Sequence, residues 1–204
     1  LLRSMFSGLE RAYQPIPEQL PFLDCASAHR IEEMAVTQAK LSMGFVTSIT
    51  NRSENFAAMQ LLNTVYGAGM TSKLFTQIRE KMSLCYSIGS GYYGSKGIMT
   101  VNAGIDAGQE QVVRQEILHQ LELCKQVTEQ ELAAAKEAVL SSLRGVHDSP
   151  GAIEGYYTSA ALSGVSISLP EYMAAVEAVT REQISEAAQS LRYHSSFLLR
   201  GKSV

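Results

Sequence analysis

Strand-like segments that lie close together, followed by a long block of helical periodicity, constrain the fold of this chain most. Residues 84–93 and 97–105 have the composition of β-strands, and the sequence GSKG at residues 94–97 predicts a hairpin turn between them. An earlier β-compatible run covers residues 35–50. Because strands joined by a short hairpin pair in antiparallel fashion, these segments predict a largely antiparallel sheet.

Most of the remaining chain has apolar residues at helical spacing. Capping patterns at Ser53, Thr128 and Thr180 predict helix N-termini, and a last strand is predicted at residues 196–200. The predicted helices cover residues 53–66, 72–82, 108–126, 128–144, 152–162, 170–179 and 180–191. Early strands, a block of helices and a closing strand indicate an α+β fold, with helices packed on one face of a largely antiparallel sheet.

The first part of the chain differs from the rest. Pro15, Pro17 and Pro21 follow one another at short intervals, which favours an extended connector after a short helix. We therefore expect residues 1–28 to be a linker from a preceding half and residues 29–204 to form one domain. The absence of a starting Met leads us to expect a piece of a longer protein.

Composition excludes several classes of function. The chain has 204 residues, 46% hydrophobic and 18% charged, as in ordinary globular proteins. A net charge of -3 provides no basic field, so we expect neither nucleic acid nor an anionic membrane as a partner. No apolar run is long enough to cross a bilayer, and no signal peptide is recognisable, so we expect a cytoplasmic location. The three cysteines lack CxxC spacing and are expected to be reduced fillers: Cys25, Cys85 and Cys124.

The four histidines do not form a metal-binding motif. Neither HExxH nor the inverted HxxEH occurs in the sequence. His29 and His119 are each followed three residues later by glutamate, a spacing that is common on solvated helix faces. The sequence thus predicts no metal ligand and no cofactor in this chain. Nucleophile elbows and phosphate-binding loops of the usual spacing are also absent.

Residues 67–88 carry the most informative pattern. Ser72 can cap a helix that buries one face, and the chain then enters a strand near Tyr86. Arg79 lies late in that helix, so Arg79 and Tyr86 are predicted at the same helix-to-strand corner. A guanidinium and a phenol held there could both donate to one carbonyl or oxyanion. The simpler alternative is that Arg79 complements the helix dipole and Tyr86 packs.

This segment resembles a known signature. The run small-Gly-x-x-Ser-x-Leu-Phe-x-x-Ile-Arg-Glu, followed by Tyr-Ser-Ile, is similar to the second-half signature of M16 (pitrilysin or insulinase-like) zinc peptidases. Arg79 and Tyr86 keep the family's separation of seven positions, whereas Cys85 stands where Gly is common. Weaker similarity occurs at residues 38–45, near 155–157 and at 180–184, so that the resemblance covers roughly residues 33–201.

The resemblance implies a division of labour between two homologous α+β halves that enclose a chamber. In that family the first half brings an HxxEH zinc site, and the second brings an Arg and a Tyr that bind the substrate backbone. Carried over, Arg79 and Tyr86 would assist peptide binding and oxyanion stabilisation, and zinc is expected only in a partner or preceding half. The implied partners are a homologous first half, or a partner subunit, and a peptide substrate.

Several interpretations remain open. The chain is either the substrate-binding half of an M16-type zinc peptidase or part of a non-catalytic M16-like subunit that pairs with an active partner. In neither case is it expected to be catalytic alone. A purely structural or interaction domain, and a thiol enzyme built on Cys85, are the remaining hypotheses.

Overall fold

The computed structural model describes residues 4–5, 7–8, 26–106 and 108–202. Within these residues there are five β-strands: β1 His29–Met34, β2 Ala39–Val46, β3 Cys85–Tyr93, β4 Ile98–Ile105 and β5 Arg192–Gly201. The α-helices are α1 Phe56–Tyr66, α2 Glu110–Leu123, α3 Glu129–Arg144, α4 Pro150–Leu162, α5 Leu169–Ala178 and α6 Arg181–Ser190. A π-helix covers Leu74–Lys81, and 3-10 turns cover Cys124–Gln126 and Gly145–Asp148.

The strands form one sheet in the order β1-β5-β2-β4-β3. Three of its four strand pairs are antiparallel, and β1 pairs with β5 in parallel. The α+β prediction with a largely antiparallel sheet is therefore confirmed.

Within the described part of the chain, helices pack on one face of the sheet. Along β2 the side chains of Leu41, Met43 and Phe45 are buried in the core, whereas Lys40 and Ser42 point to the other face. Residues from β4, α1, α2 and α6 join the same core cluster. Among the described residues, the second face carries polar side chains such as Lys40, Ser42 and Asn102 together with the exposed ring of Phe197.

The predicted hairpin between β3 and β4 is present, and glycine is required in its turn. Gly97 has a φ of 61°, and a Cβ there would lie 2.4 Å from the carbonyl oxygen of Thr47. The two residues also bond directly, since the Thr47 N–H donates to the Gly97 carbonyl at 2.9 Å. This turn therefore joins the hairpin to the end of β2.

Strand β1 was not predicted from the sequence. All six of its residues, HRIEEM, are exposed, so the segment has no buried face and no alternation to detect. Its charges are typical of a guarded sheet edge. The predicted strand at 35–50 is shorter in the structure, and β5 begins at Arg192 rather than at residue 196. The predicted helix at 72–82 is a π-helix.

Two of the sequence predictions fall largely on undescribed residues. The connector expected within residues 1–28 and the thiol of Cys25 lie mostly or wholly outside the described part of the chain. Cys85 and Cys124 are buried free thiols, as predicted.

Candidate functional site

The π-helix Leu74–Lys81 carries the first candidate residue. Its wide turns are closed by bonds such as that from the Met82 N–H to the Gln77 carbonyl at 2.9 Å. Leu74 and Ile78 are buried and hold this helix against the core. Such five-residue turns are rare and occur frequently at functional sites. Arg79 projects from the exposed side of this helix.

The start of the π-helix is fixed by an ion pair with α3. Lys73 contacts the carboxylate of Glu131, which also accepts from the backbone N–H of Thr128 at 2.9 Å in a capping box. Partial burial acts to raise the pKa of Glu131, but the bonds from Lys73 and Thr128 outweigh it and lower this pKa. The segment that carries Arg79 is thus tied to a regular helix.

Two backbone irregularities follow where the π-helix leads into β3. Ser83 has a φ of 53°, a left-handed conformation that only this residue among the described non-glycine residues adopts. The register then shifts between Cys85 and Ser87, which pair with Ile105 and Gly104. Tyr86 is consequently the extra residue of a β-bulge, a device that re-aims side chains. Its side chain is 63% exposed.

Arg79 and Tyr86 are brought together, though not through their side-chain tips. The Arg79 Nε–H donates to the backbone carbonyl of Tyr86 at 3.0 Å. The guanidinium carbon lies 4.5 Å from the ring centroid of Phe75, a cation–π contact. Within the described residues, the terminal nitrogens of Arg79 donate to no other group. They remain available to a ligand.

Both residues line one open cleft of about 610 Å³. The lining residues are Arg79, Glu80, Ser83, Cys85, Tyr86 and Asp106. Sequence reasoning missed Glu80, Ser83 and Asp106. Glu80 is adjacent to Arg79 in sequence, but Asp106 reaches the cleft only because Ile105 pairs with Cys85.

The thiol in the cleft is poorly suited to nucleophilic chemistry. Burial raises the pKa of Cys85, and the nearby charge of Arg79 opposes that shift only in part. Since the thiolate is the reactive form, a raised pKa disfavours a thiol enzyme built on Cys85.

The histidines are dispersed over the fold. His29 lies in β1, His119 in α2, His147 in a 3-10 turn and His194 in β5. Across the described ranges, no three His, Cys, Asp or Glu residues converge as metal ligands. The residues of this part of the chain therefore do not fit a zinc ion.

None of the helices within the described residues is both long enough and apolar enough to span a membrane.

The fold and cleft define a class of protein: an α+β domain that has an Arg/Tyr corner and whose described residues assemble no metal site. The chain belongs to the M16 peptidase family, because the family model described as "Peptidase M16 inactive domain" matches residues 1–139. The predicted family is thereby confirmed.

Two curated relatives are similar in sequence. The "Probable inactive metalloprotease YmfF" of Bacillus subtilis is 30% identical over 173 residues, covering 84% of this chain and 41% of that protein. An "Uncharacterized zinc protease" of Rickettsia bellii is 29% identical over 119 residues, covering 57% of this chain and 29% of the relative. The chain thus spans less than half the length of the relatives that it matches.

Solved structures agree in fold. A conserved protein from Enterococcus faecalis V583 has a TM-score of 0.80 and 28% identity, covering 94% of this chain and 44% of its own. The peptidase M16 inactive domain from Pseudomonas fluorescens has a TM-score of 0.72 and 22% identity, covering 88% of this chain and 44% of its own. The second likeness, at this identity, concerns the fold alone.

Proposed function

We propose that this chain is the substrate-binding half, without zinc ligands, of an M16-type zinc-dependent peptidase. The observation that carries the proposal is the convergence of three irregular elements on Arg79 and Tyr86. A π-helix, a left-handed Ser83 and a β-bulge all occur within the residues that bring these two side chains to one cleft. A strained backbone costs free energy and persists only where the surrounding structure enforces it, and such positions cluster at functional sites.

The cleft offers hydrogen-bond donors to a peptide carbonyl. The bond from Arg79 Nε–H to the Tyr86 carbonyl restrains the guanidinium and leaves its terminal N–H groups available to a peptide carbonyl. The Tyr86 phenol, exposed on the bulge, supplies another donor. Donors fixed before the reaction stabilise the negative charge that develops on the carbonyl oxygen. In this proposal they bind and orient the peptide and polarise the bond to be cut.

The reaction requires a second contributor. Zinc in a homologous first half would supply an activated water. The chain's own part is confined to binding, orientation and oxyanion stabilisation, with peptide held between the two halves. Residues 1–28 would form the connection to that half, and we place the assembled protein in the cytoplasm. The described residues of this chain form the cleft but no group of three or more metal ligands.

A second candidate is a non-catalytic M16-like subunit that pairs with an active, zinc-bearing partner. The name of the Bacillus subtilis relative, "Probable inactive metalloprotease YmfF", favours this version. Arg79 and Tyr86 would then hold peptides in a protein whose own first half lacks zinc ligands.

Peptide cleavage by the protein assembled with its first half tests the proposal. We expect Arg79→Ala and Tyr86→Phe each to lower kcat, roughly 100-fold if each removes one oxyanion donor. The matched controls are Lys81→Ala, a neighbouring cation of the π-helix, and Tyr93→Phe, an exposed tyrosine of β3; neither lines the cleft.

The outcomes separate the hypotheses. Unchanged cleavage in the double variant Arg79→Ala/Tyr86→Phe would show that the assignment is wrong. Peptide binding that depends on both residues, without zinc or cleavage in the assembled protein, would support the non-catalytic subunit. An absence of peptide binding would leave a purely structural domain.

A further inference from the structure

The cleft that holds Arg79 and Tyr86 also holds two carboxylates of opposite charge to Arg79. Glu80 follows Arg79 in the π-helix, and Asp106 follows the last residue of β4. The formal charge of the lining residues is therefore negative by one, from one cation and two anions. A ligand bound there meets donors and an excess of negative charge together.

Neither carboxylate forms an ion pair within the described part of the chain. Ion pairs of the described residues occupy five other glutamates, at positions 33, 122, 129, 131 and 137. No cationic group of the described residues lies within 4.0 Å of the carboxylate of Glu80 or Asp106. Even Arg79, which lines the same cleft, forms no ion pair with either of them. Arg79 is instead engaged with the Tyr86 carbonyl and the Phe75 ring.

The two acidic residues belong to different elements of the fold. Glu80 is carried by the π-helix, whereas Asp106 is placed by the pairing of Ile105 with Cys85 at the start of β3. Tyr86 is the next residue after Cys85. The cleft that would receive a carbonyl held by Arg79 and Tyr86 is therefore bordered by both acidic residues.

From this arrangement we infer that Glu80 and Asp106 select peptides that carry a positively charged group next to the carbonyl held by Arg79 and Tyr86. The inference rests on the proposed function and names its substrate class. The selected group is an ammonium or guanidinium, which either a Lys or Arg side chain or a free peptide N-terminus supplies. Opposite charges that meet near a protein surface attract more strongly than they do in bulk water.

Fluorescence anisotropy with labelled peptides tests this inference on the full chain. The probes are an alanine-rich decapeptide with one central Lys and the same peptide with norleucine in its place, each with a free and an acetylated N-terminus. At low salt we expect a charged probe to bind roughly threefold to fivefold more tightly than its neutral counterpart, the scale of exposed ion pairs. The preference should weaken as salt is added, because the charges are screened.

Charge-neutral variants identify the residues responsible. Glu80→Gln/Asp106→Asn should abolish the preference, so that charged and neutral peptides bind this variant with equal affinity. A matched control that removes the same charge elsewhere is Glu177→Gln/Glu186→Gln, two exposed residues of α5 and α6. The control should retain the preference. Loss of the preference in both double variants would assign it to net charge and overturn the inference.

The peptide arms distinguish the source of the charge. A preference lost on replacing Lys by norleucine identifies a side chain, and one lost on acetylation identifies the N-terminus; both support the inference. Equal binding of charged and neutral peptides, with binding still lost in Arg79→Ala/Tyr86→Phe, would overturn this inference alone. Binding of none of the four probes would overturn both this inference and the proposed function.

Discussion

Arg79 and Tyr86 are joined by one hydrogen bond, from the guanidinium Nε–H to the strand carbonyl, at 3.0 Å. The bond links the end of the π-helix to the start of β3. The position of the Arg79 side chain therefore depends on the backbone path at Tyr86. A positive charge at position 79 without the guanidinium geometry would not form this hydrogen bond together with contacts to a ligand.

Substitution of Arg79 by Lys separates charge from geometry. Lysine keeps the positive charge but has no planar fork with which to bind the Tyr86 carbonyl and a ligand together. We expect Arg79→Lys to weaken peptide binding nearly as much as Arg79→Ala does, with little change in the free energy of unfolding. Anisotropy titrations and urea unfolding of the three proteins measure both quantities. Full peptide affinity in Arg79→Lys would contradict the geometric role.

Ser83 should carry measurable backbone strain. A left-handed conformation costs a non-glycine residue roughly 1–2 kcal/mol, whereas glycine adopts it freely. Ser83→Gly is expected to raise the free energy of unfolding by about 0.5–1 kcal/mol, less than the full cost because glycine also gains entropy in the unfolded chain. Ser83→Val should lower it. Urea denaturation midpoints give the sign, and a less stable Ser83→Gly protein would contradict the prediction.

Comparing Gly97 and Gly108 separates the cost of a left-handed backbone from the cost of a steric clash with a new Cβ atom. Both have a positive φ, 61° and 88°, but a Cβ at Gly97 would collide with the Thr47 carbonyl, whereas one at Gly108 would meet no atom of the described residues beyond its chain neighbours within 4 Å. Gly108→Ala is expected to cost about 1 kcal/mol, and Gly97→Ala clearly more. Thermal unfolding of the two variants measures the difference. Equal losses would mean that the hairpin turn relaxes without cost.

The Lys73–Glu131 pair should make stability depend on pH. The pKa of Glu131 is lowered in the folded protein from its ordinary value of 4.5, so the unfolded chain binds a proton there first as pH falls. The contribution is therefore complete above that ordinary value and is lost as pH decreases through the folded-state pKa. Glu131→Gln should flatten this part of the curve. Urea unfolding between pH 7 and pH 3 tests it, and parallel curves would contradict it.

The two described thiols should react slowly in the native protein. Burial raises the pKa of Cys124 to about 12 and also raises that of Cys85. We expect iodoacetamide at neutral pH to modify Cys85 faster than Cys124, and both far more slowly than after unfolding in urea. Mass spectrometry of digested samples follows each site. Rapid native alkylation of Cys85 would revive the thiol-enzyme hypothesis.

The helix-to-strand corner was predictable because it is local. The apolar positions Leu74 and Ile78 indicate a helix with Arg79 near its end, and the strand pattern starts just before Tyr86. This spacing does not distinguish an α-helix from a π-helix. Residues four apart share a face in an α-helix and are still close together in a π-helix. The irregularity that positions Arg79 was thus invisible.

The remaining parts of the cleft depend on tertiary pairing. Asp106 is distant in sequence from Tyr86 and joins it only through the register of β4 against β3. Strand β1 has no buried side chain, so its pairing with β5 leaves no hydrophobic period in the sequence. The periodicity of apolar residues in one sequence indicates which side chains are buried. Asp106 and the residues of β1 are exposed, so this periodicity does not reveal them.

The bulge at Tyr86 also bears on how this site can be lost. Cys85 and Ile88 face the core, and two exposed residues separate them where regular alternation requires one. Deleting the single codon for Tyr86 would leave Cys85, Ser87 and Ile88 as an unbroken alternation with the core contacts retained. Under the proposed function, a lineage could discard peptide recognition in one step and keep the domain, so the residue at this position would mark which descendants retain the proposed role.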